Sequence, residues 1–386
     1  MFQACTPKVL RSAFLLMLLC AGPIAATTFD GASPPPSVSE EQVPSSLPVP
    51  EPGMVASDGG RIFAFPARSD VPASLPAASG PNLVASGTGP HPRANVAALA
   101  SDDRDSSLPV AWYVYEHQSI AQVIDTATTN NLRVVDLFVE NATSPYLLTT
   151  VYVANTGSYA KSWWFLADVT PASLLTFSTS NNARIVVLKA FNDPAPGGDV
   201  RFFAILISNT GADAKNWWFY KDQNIAQVTA LWQANSARLV QVNSYVKGGV
   251  TLYDVVMISN TGSDAKGWWW YVNATVSELS AHVSANNARL IDLDIDPATG
   301  NYNAIMTSCS SGCPAWWWYV GVPTSNLLAT VLANNARIID ANSTAGCGDR
   351  CWSVVLIANN APVLGSAASR KQHGAAGKFD LPLLLQ

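Results

Sequence analysis

Residues 268–289 read WWWYVNATVSELSAHVSANNAR, and the predicted fold of the chain can be built up from this stretch. The aromatic run at 268–272 predicts a short strand that is buried on both faces. Thr275 followed three residues later by Glu278 is the pattern of an N-terminal capping box, and apolar residues then recur at helical spacing. The Asn-Asn pair at 286–287 predicts the end of this helix, because Asn tolerates the left-handed conformation that closes helices.

Two further strands are predicted after the helix. Residues 290–295 alternate apolar and polar side chains, as a half-buried strand does. Pro and Gly predict a turn at 297–300, and residues 302–307 then return as the hairpin partner. The stretch is therefore predicted to fold as strand, helix, strand and strand.

The same pattern recurs five times along the chain. The Trp that opens each aromatic run and the Arg that follows each helix are both spaced 51, 54, 51 and 48 residues apart, so every Trp precedes its Arg by 21 residues. All changes of length fall between an Arg and the next Trp, which predicts a rigid piece followed by a variable loop, as in repeat arrays. The two sets are Trp112, Trp163, Trp217, Trp268 and Trp316, and Arg133, Arg184, Arg238, Arg289 and Arg337.

The repeats predict an α+β fold of five tandem strand-helix-strand-strand units. We expect a curved open sheet, half-barrel-like, with the helices on one face. The alternative is a five-bladed β-propeller, because about 50 residues per unit also suits a propeller blade, although such blades have four strands and no helix. The units are predicted at about 111–161, 162–215, 216–266, 267–314 and 315–361.

The repeat resembles the structural repeat of polyglycine hydrolase-like proteins, also called a bacterial tandem repeat domain. The resemblance is carried by the aromatic run, by Asn-Asn-Ala-Arg at 286–289 and 334–337, and by Asn-Thr-Gly with a following Ala-Lys at 260–266. In fungal polyglycine hydrolases, similar repeats form an amino-terminal half-barrel beside a serine β-lactamase-like domain that carries the proteolysis. The resemblance covers about 111–360, and only 26 residues follow it, so we expect the repeat domain without the catalytic domain.

The first 26 residues have the pattern of a secretory signal peptide. Lys8 and Arg11 precede an apolar run at 13–19, and small residues follow. The run is shorter than the roughly 18 residues that a membrane-spanning helix needs. We therefore predict a secreted or extracytoplasmic protein, in the periplasm or at the cell surface, with no membrane span after removal of the signal.

Residues 27–107 predict a disordered linker rich in Pro, Ser and Ala. All 13 Trp lie C-terminal to it, whereas 13 of the 25 Pro lie between Pro34 and Pro92. Such a composition cannot bury enough apolar surface to fold, although a short ordered patch at 61–66 stays open as an alternative. Residues 362–386 predict a loose tail.

The formal net charge of −5 argues against a nucleic-acid partner, because neutralising phosphates requires a basic surface. The chain also lacks a phosphate-binding loop, which excludes nucleotide-dependent dehydrogenases and kinases. No cofactor and no metal site are predicted. The sequence leaves the oligomeric state open.

Two Ser-x-x-Lys matches imitate the acyl-enzyme pattern of β-lactamases. They are Ser158 with Lys161 and Ser263 with Lys266, and both occupy the same turn of the repeat, where the intervening unit has Ala212. A nucleophile of this kind needs a helix-borne site with supporting bases, whereas these residues precede a strand. No catalytic residues are predicted, and the protein is not expected to be an enzyme.

A second aromatic set follows the first by one residue and is the candidate binding surface. Successive side chains of a strand point to opposite faces, so one set packs under the helices. The second set either lines a concave sheet face, where it would bind sugar rings or peptide backbones, or packs against the next unit. The repeated Arg is predicted to stack on an aromatic ring and bond carbonyl groups rather than bind an anion. The candidate binding residues are Tyr113, Trp164, Trp218, Trp269 and Trp317.

Four cysteines remain after signal removal, and an exported protein is expected to oxidise them to disulfides. Short spacing favours Cys309 with Cys313 and Cys347 with Cys351, although four cysteines permit three pairings and two C-x-x-x-C elements could also bind zinc. We expect the disulfides to reinforce one end of the array.

Three functional hypotheses follow. The first is a secreted, non-catalytic binding module whose partner is an extracellular polymer, either cell-wall glycan or an extended peptide or protein. The second is a structural or adhesive surface module with no small ligand, in which all the aromatic residues are core. The third is an accessory-domain relative of a secreted serine hydrolase.

Overall fold

The structure, a computed structural model, describes residues 54–55, 61–65, 104, 106–192, 200–310 and 312–359. The chain divides by its contacts into Met1–Val38 and Ser39–Gln386, and all described residues belong to the second part. The predicted signal peptide, the predicted tail and most of the predicted linker lie outside the described residues.

Five units each consist of a first strand, a helix, a second strand and a third strand. The first strands are β3 (Trp112–Gln118), β6 (Trp163–Val169), β9 (Trp217–Gln223), β12 (Trp268–Ala274) and β15 (Trp316–Pro323). The helices are α1 (Ile120–Asn130), α2 (Pro171–Ser180), α3 (Ile225–Ala234), α4 (Val276–Ala285) and α5 (Thr324–Ala333). The second strands are β4 (Leu132–Asn141), β7 (Ala183–Asn192), β10 (Ala237–Lys247), β13 (Ala288–Ile295) and β16 (Ala336–Gly346). The third strands are β5 (Leu147–Ala154), β8 (Val200–Ser208), β11 (Val250–Ser259), β14 (Tyr302–Ser308) and β17 (Asp349–Ala358).

Each unit contains an antiparallel sheet in which the third strand lies between the first and the second. The second and third strands form the predicted hairpin, with Leu293 opposite Ala304 in unit 4. The predicted α+β fold of strand-helix-strand-strand units is therefore confirmed. The propeller alternative, with four-stranded blades and no helix, is wrong because every unit contains a helix.

The local signals in the sequence explain where the helices begin and end. The Thr275 hydroxyl accepts a hydrogen bond from the Glu278 backbone, and the Glu278 side chain accepts one from the Thr275 backbone, which is the predicted capping box. Thr170 caps α2 without the reciprocal bond: its hydroxyl accepts a hydrogen bond from the Ser173 backbone, just before Pro171 at the predicted helix start. After α4 the backbone of Asn287 has a φ of 46°, the left-handed conformation expected there.

The five sheets are separate, and the units close into a ring. The second strand of each unit contacts the second strand of the next, and β16 of unit 5 contacts β4 of unit 1. The second strand of each unit contains a bulge that interrupts its hydrogen-bond ladder, as between Leu290 and Asp292. The second strands therefore surround a common axis, and the first strands form the outer edges of the sheets.

The hydrophobic core consists of five clusters, each shared by two consecutive units. One cluster joins Val228 of α3 to Ile291 of unit 4, and another joins Leu327 of α5 to Trp112 of unit 1. Each helix therefore packs between its own sheet and the sheet of the next unit. Burial of both sheet faces follows from this arrangement.

Two strands lie inside the stretch that the sequence predicts as a disordered linker. They are β1 (Met54–Val55) and β2 (Arg61–Phe65), which pair with each other, and β2 also pairs antiparallel with β6 of unit 2. The sequence left open an ordered patch at 61–66, and the structure has a strand there. The segment reads RIFAF, whose Ile and Phe residues favour a strand, and pairing with β6 supplies the partner that a single short strand lacks.

Candidate functional site

The five aromatic residues predicted as a binding surface lie on the face of each sheet that carries the unit's own helix. Tyr113 and Trp164 are buried, each 6% exposed. Trp164 contacts Phe177 of α2 edge to face, with ring centres 5.9 Å apart. These two rings are core and offer no face to a ligand. The remaining three are half-buried against the helix side of their units: Trp218, Trp269 and Trp317.

The Trp that opens each first strand points to the opposite face, toward the helix of the preceding unit. Trp268 contacts Trp232 of α3 edge to face at 5.2 Å. Trp163 lies in one cluster with Val123 of α1. Because both faces of each sheet are covered by helices, the concave aromatic face that the sequence left open does not form among the described residues.

The backbone edges of the first strands remain, and in unit 2 that edge is occupied. The strand β2 pairs with β6 in a register that places Phe65 opposite Trp163 and Phe63 opposite Phe165. The Phe65 and Trp163 rings stack at 4.0 Å with an interplanar angle of 10°. The Phe63 and Phe165 rings stack at 6.0 Å. A short extended segment is thus bound by strand pairing and by ring stacking at alternate positions.

Burial differs between the occupied edge of unit 2 and the equivalent edge of unit 4. Trp163 and Phe165 are both 0% exposed beneath β2. Their counterparts Trp268 and Trp270 are half-buried, and the described sheet of unit 4 has three strands only. Unit 4 therefore leaves part of the same aromatic pair accessible.

The repeated Arg residues are all buried, and three of them, Arg133, Arg184 and Arg337, donate hydrogen bonds to carbonyl groups. Arg133 donates to the Tyr159 carbonyl at 3.3 Å, and Arg184 donates to the Asp213 carbonyl at 3.2 Å. Arg337 also lies over the Tyr159 ring, 5.6 Å from its centre. These contacts are those expected of a structural Arg. The five residues are between 0% and 4% exposed: Arg133, Arg184, Arg238, Arg289 and Arg337.

A small cavity at the axis is lined by three of these residues, Arg133, Arg184 and Arg337, and by Arg104. Its volume is about 30 Å³, on the scale of a water molecule, so it is too small for a polymer. Arg104 enters it and donates from Nη1 to the Val240 carbonyl at 2.6 Å, and the same nitrogen lies 3.6 Å from the Asp292 carboxylate. The side chain of Arg104, from the predicted linker, therefore lies at the axis and contacts both unit 3 and unit 4.

Polar side chains further along the axis fasten neighbouring second strands together. In four units, the side chain three residues after the repeated Arg accepts a hydrogen bond from the backbone of an adjacent unit, across the bulge. Unit 2 has Val187 at this position and lacks the acceptor. The pairs are Leu188 N to Gln241, Val242 N to Asp292, Leu293 N to Asp340 and Ala341 N to Asp136, at 3.1, 2.9, 3.0 and 2.7 Å.

Three of these acceptors are carboxyl groups with raised pKa values. Burial raises the pKa of Asp136, Asp292 and Asp340 to about 7, against the ordinary value of 3.8. Lys189 lies 3.8 Å from Asp136. Burial opposes the charge on Lys189, but the carboxyl groups of Asp136, Asp340 and Asp292 outweigh it and raise the Lys189 pKa. The axis cluster is closed off from solvent and contributes to the assembly of the ring.

The two Ser-x-x-Lys matches lie in short 3-10 turns between units. Ser158 and Ser263 are exposed, and their turns span Gly157–Tyr159 and Gly262–Asp264. Lys161 forms an ion pair with Asp213 of the next turn. Its ammonium group is therefore engaged in joining consecutive turns.

The favoured cysteine pairing is present in the structure. Cys309 is bonded to Cys313, with Cα atoms 5.0 Å apart, and Cys347 is bonded to Cys351, with Cα atoms 5.4 Å apart. Each disulfide closes a short loop in unit 4 or unit 5. Because the ring joins unit 5 to unit 1, these bonds are not at a free end: Cys309–Cys313 lies between β14 and β15, and Cys347–Cys351 lies at the hairpin of β16 and β17.

Two features, Arg104 and the carboxyl groups at the axis, were not predicted from the sequence, and a third, the strand Arg61–Phe65, was only an open alternative. Arg104 and the strand Arg61–Phe65 lie in the predicted linker, and only the alternation of Phe63 and Phe65 in that strand was a usable signal. The axis carboxylates had a stronger signal. Three of the five repeated Arg residues are followed at the same offset of three by Asp136, Asp292 or Asp340.

Within the described ranges, no group of three or more His, Cys, Asp or Glu side chains is arranged to hold a metal ion. None of the described helices combines the length and apolar character needed to cross a membrane. Comparisons with the models of known protein families and with curated proteins found no match to this chain.

Proposed function

We propose that this chain is a secreted, non-catalytic tandem-repeat protein that binds an extracellular polymer, and that the polymer is an extended polypeptide held along the outer sheet edges. The observation that carries the proposal is the strand Arg61–Phe65, which pairs with β6 as an added outer strand. An edge strand offers its unpaired N–H and C=O groups to any extended peptide, and side-chain contacts at alternate positions supply the specificity.

A polypeptide suits the geometry better than a glycan. Sugar rings bind on open aromatic faces, whereas Tyr113 and Trp164 of the candidate surface are buried and Trp269 packs on its own unit. The added strand, in contrast, uses the edge that every first strand presents. The mode of binding therefore resembles strand addition rather than sugar stacking.

Secretion is supported by the signal-peptide pattern at 1–26 and by the two disulfides, since disulfides persist in oxidising compartments. The absence of catalysis is supported by the turn setting of Ser158 and Ser263 and by the engagement of Lys161 with Asp213. We propose that the repeats belong with those of polyglycine hydrolase-like proteins, as an accessory-domain relative of the secreted serine hydrolases.

The second candidate function is a structural or adhesive surface module carried on the Pro-rich segment. It is favoured by the closed ring, in which Trp112 of unit 1 packs with Leu327 of unit 5 and both faces of the sheets are core. Such a rigid body needs no small ligand. The two functions differ in whether the outer edges bind peptides.

Intrinsic fluorescence of the full chain distinguishes the two functions. The protein is titrated with a mixed set of unstructured decapeptides, oligoglycine, chitin fragments and peptidoglycan. We expect the decapeptides to change the Trp emission saturably, and the glycans to have no effect. Trp269→Phe is the control, because this ring packs on its own unit and its loss should lower stability without weakening binding. If no peptide changes the emission, the structural module is the better conclusion.

A further inference from the structure

We infer that the outer edge of unit 4, formed by β12 (Trp268–Ala274), is the docking site for an extended, basic peptide strand with aromatic side chains at alternate positions. This inference rests on the proposed function and assigns both the site and the class of peptide. It starts from the occupied edge of unit 2, where Phe63 and Phe65 cover Trp163 and Phe165.

The edge of unit 4 is the least protected of the described outer edges. Proteins protect an edge strand with charged residues or proline, which discourage pairing with another chain. The edges β3, β9 and β15 contain Glu116, Lys221 and Pro323, respectively. The strand β12 reads WWWYVNA and has neither a charge nor a proline.

The aromatic side chains of unit 4 are also partly accessible at the positions that β2 covers in unit 2. Trp268 and Trp270 are half-buried, whereas Trp316 and Trp318 at the equivalent positions of unit 5 are 1% and 4% exposed. A peptide in the register of β2 would place one aromatic ring on Trp268 and a second on Trp270. The peptide class follows from this register, because side chains two residues apart share one face of a strand.

Charge favours a basic peptide. The strand that occupies unit 2 begins with Arg61, which is exposed, and the whole chain has a formal net charge of −5. An acidic protein attracts a basic peptide at long range, and this attraction weakens with salt. Glycan fragments and oligoglycine lack both the alternating rings and the positive side chain.

The probe is a synthetic peptide of residues 58–68, DGGRIFAFPAR, added to the full chain. We expect saturable binding with one peptide per protein and a dissociation constant that rises with salt. Two peptides serve as controls: a scrambled peptide with adjacent Phe residues, and a peptide N-methylated at alternate residues in either phase. We expect both the scrambled peptide and one of the N-methylated phases to bind at least tenfold more weakly.

Protein variants assign the site. Trp270→Leu should weaken binding on the order of tenfold, the loss of an aromatic pair, whereas Phe219→Leu in unit 3 should leave it within about twofold. A double variant, Phe63→Ser with Phe65→Ser, should release the strand on unit 2 and raise the stoichiometry to two. Circular dichroism establishes that each variant is folded, and the N-methylated peptides test strand pairing on the unaltered protein.

Three outcomes overturn the inference. Equal binding of the scrambled peptide excludes the alternating pattern, and unchanged binding by folded Trp270→Leu excludes unit 4. Failure of the 58–68 peptide, while mixed decapeptides still bind, overturns the assignment and leaves the proposed function standing. If no peptide of any sequence binds, the proposed function fails as well.

Discussion

At the scale of single residues, the repeated Arg and the residue three positions after it have different tasks. Arg184 bonds a carbonyl group in the turn that leads to the next unit. Asp340 accepts a backbone hydrogen bond from a strand of the neighbouring unit, at the axis. A buried carboxyl group of this kind is costly to ionise, and the axis contains Lys189 and Arg104 as compensating cations. Residue chemistry at the axis therefore links stability to pH.

We expect the free energy of unfolding to fall as the pH rises from about 4 to about 7. Burial raises the pKa of Asp136, Asp292 and Asp340 in the folded protein to about 7, whereas unfolded Asp titrates at 3.8. Between these values the folded state binds more protons, so stability is lost as the pH rises through the window, and the contribution of these three groups is constant above it. Urea unfolding at pH 5 and pH 7.5 measures the difference, on the order of 2 to 3 kcal/mol per carboxyl group.

Asp340→Asn is the matched variant for this prediction. Its side-chain oxygen can still accept the hydrogen bond from Leu293, but it no longer titrates. We expect the pH slope of its stability to be smaller than that of the wild type. A stability that is flat or rises between pH 4 and pH 7 in the wild type would contradict the assignment of these carboxyl groups.

At the scale of the elements, helix boundaries follow from the sequence, and the environment of a strand does not. The cap at Thr275 and the left-handed Asn287 are local signals that act within one turn of α4. The aromatic strand β6 is locally similar to β12, yet β6 is paired with β2, whereas no described strand pairs with the outer edge of β12. That difference comes from a segment more than 95 residues away from β6, which no local pattern predicts.

Thr275→Ala should lower the free energy of unfolding by about 1 kcal/mol, because the hydroxyl that caps the start of α4 is lost. Chemical denaturation of the purified protein measures the change. Ser277→Ala is the control, since this residue is exposed in the same first turn and makes no cap. Equal losses in the two variants would show that the cap contributes nothing at this position.

At the scale of the whole molecule, the ring is closed by the same pair of hydrogen bonds that joins consecutive units, in which one Asn side chain bonds the N–H and the C=O of a single residue. In the turn before unit 2, the amide side chain of Asn155 bonds both the N–H and the C=O of Lys161. At the closure, Asn359 bonds the N–H and the C=O of Val110, both at 3.0 Å, across 249 residues of sequence. Asn359 therefore completes the circle with the geometry of an ordinary turn.

Asn359→Leu should weaken the closure between unit 5 and unit 1. The backbone groups of Val110 lose both partners at a buried position, which costs about 1 to 3 kcal/mol. We expect faster hydrogen exchange in β3 and β17, and mass spectrometry measures it. Asn209→Leu removes the same pair of hydrogen bonds from Lys215, where the chain itself joins the units, and should affect β9 alone. Unchanged exchange in β3 and β17 of Asn359→Leu would contradict this role.

The unit, the number of units and the helix caps follow from the sequence alone, because each depends on residues close together along the chain and the repeat shows them more than once; short spacing also favoured the cysteine pairing. The covering of both aromatic faces, the bonding of Asn359 to Val110 and the added strand Arg61–Phe65 on unit 2 depend on long-range packing. The physical reason is geometric. Closure depends on small rotations accumulated over five units, and the covering of an edge depends on a distant segment. The sequence of a single repeat therefore predicts neither.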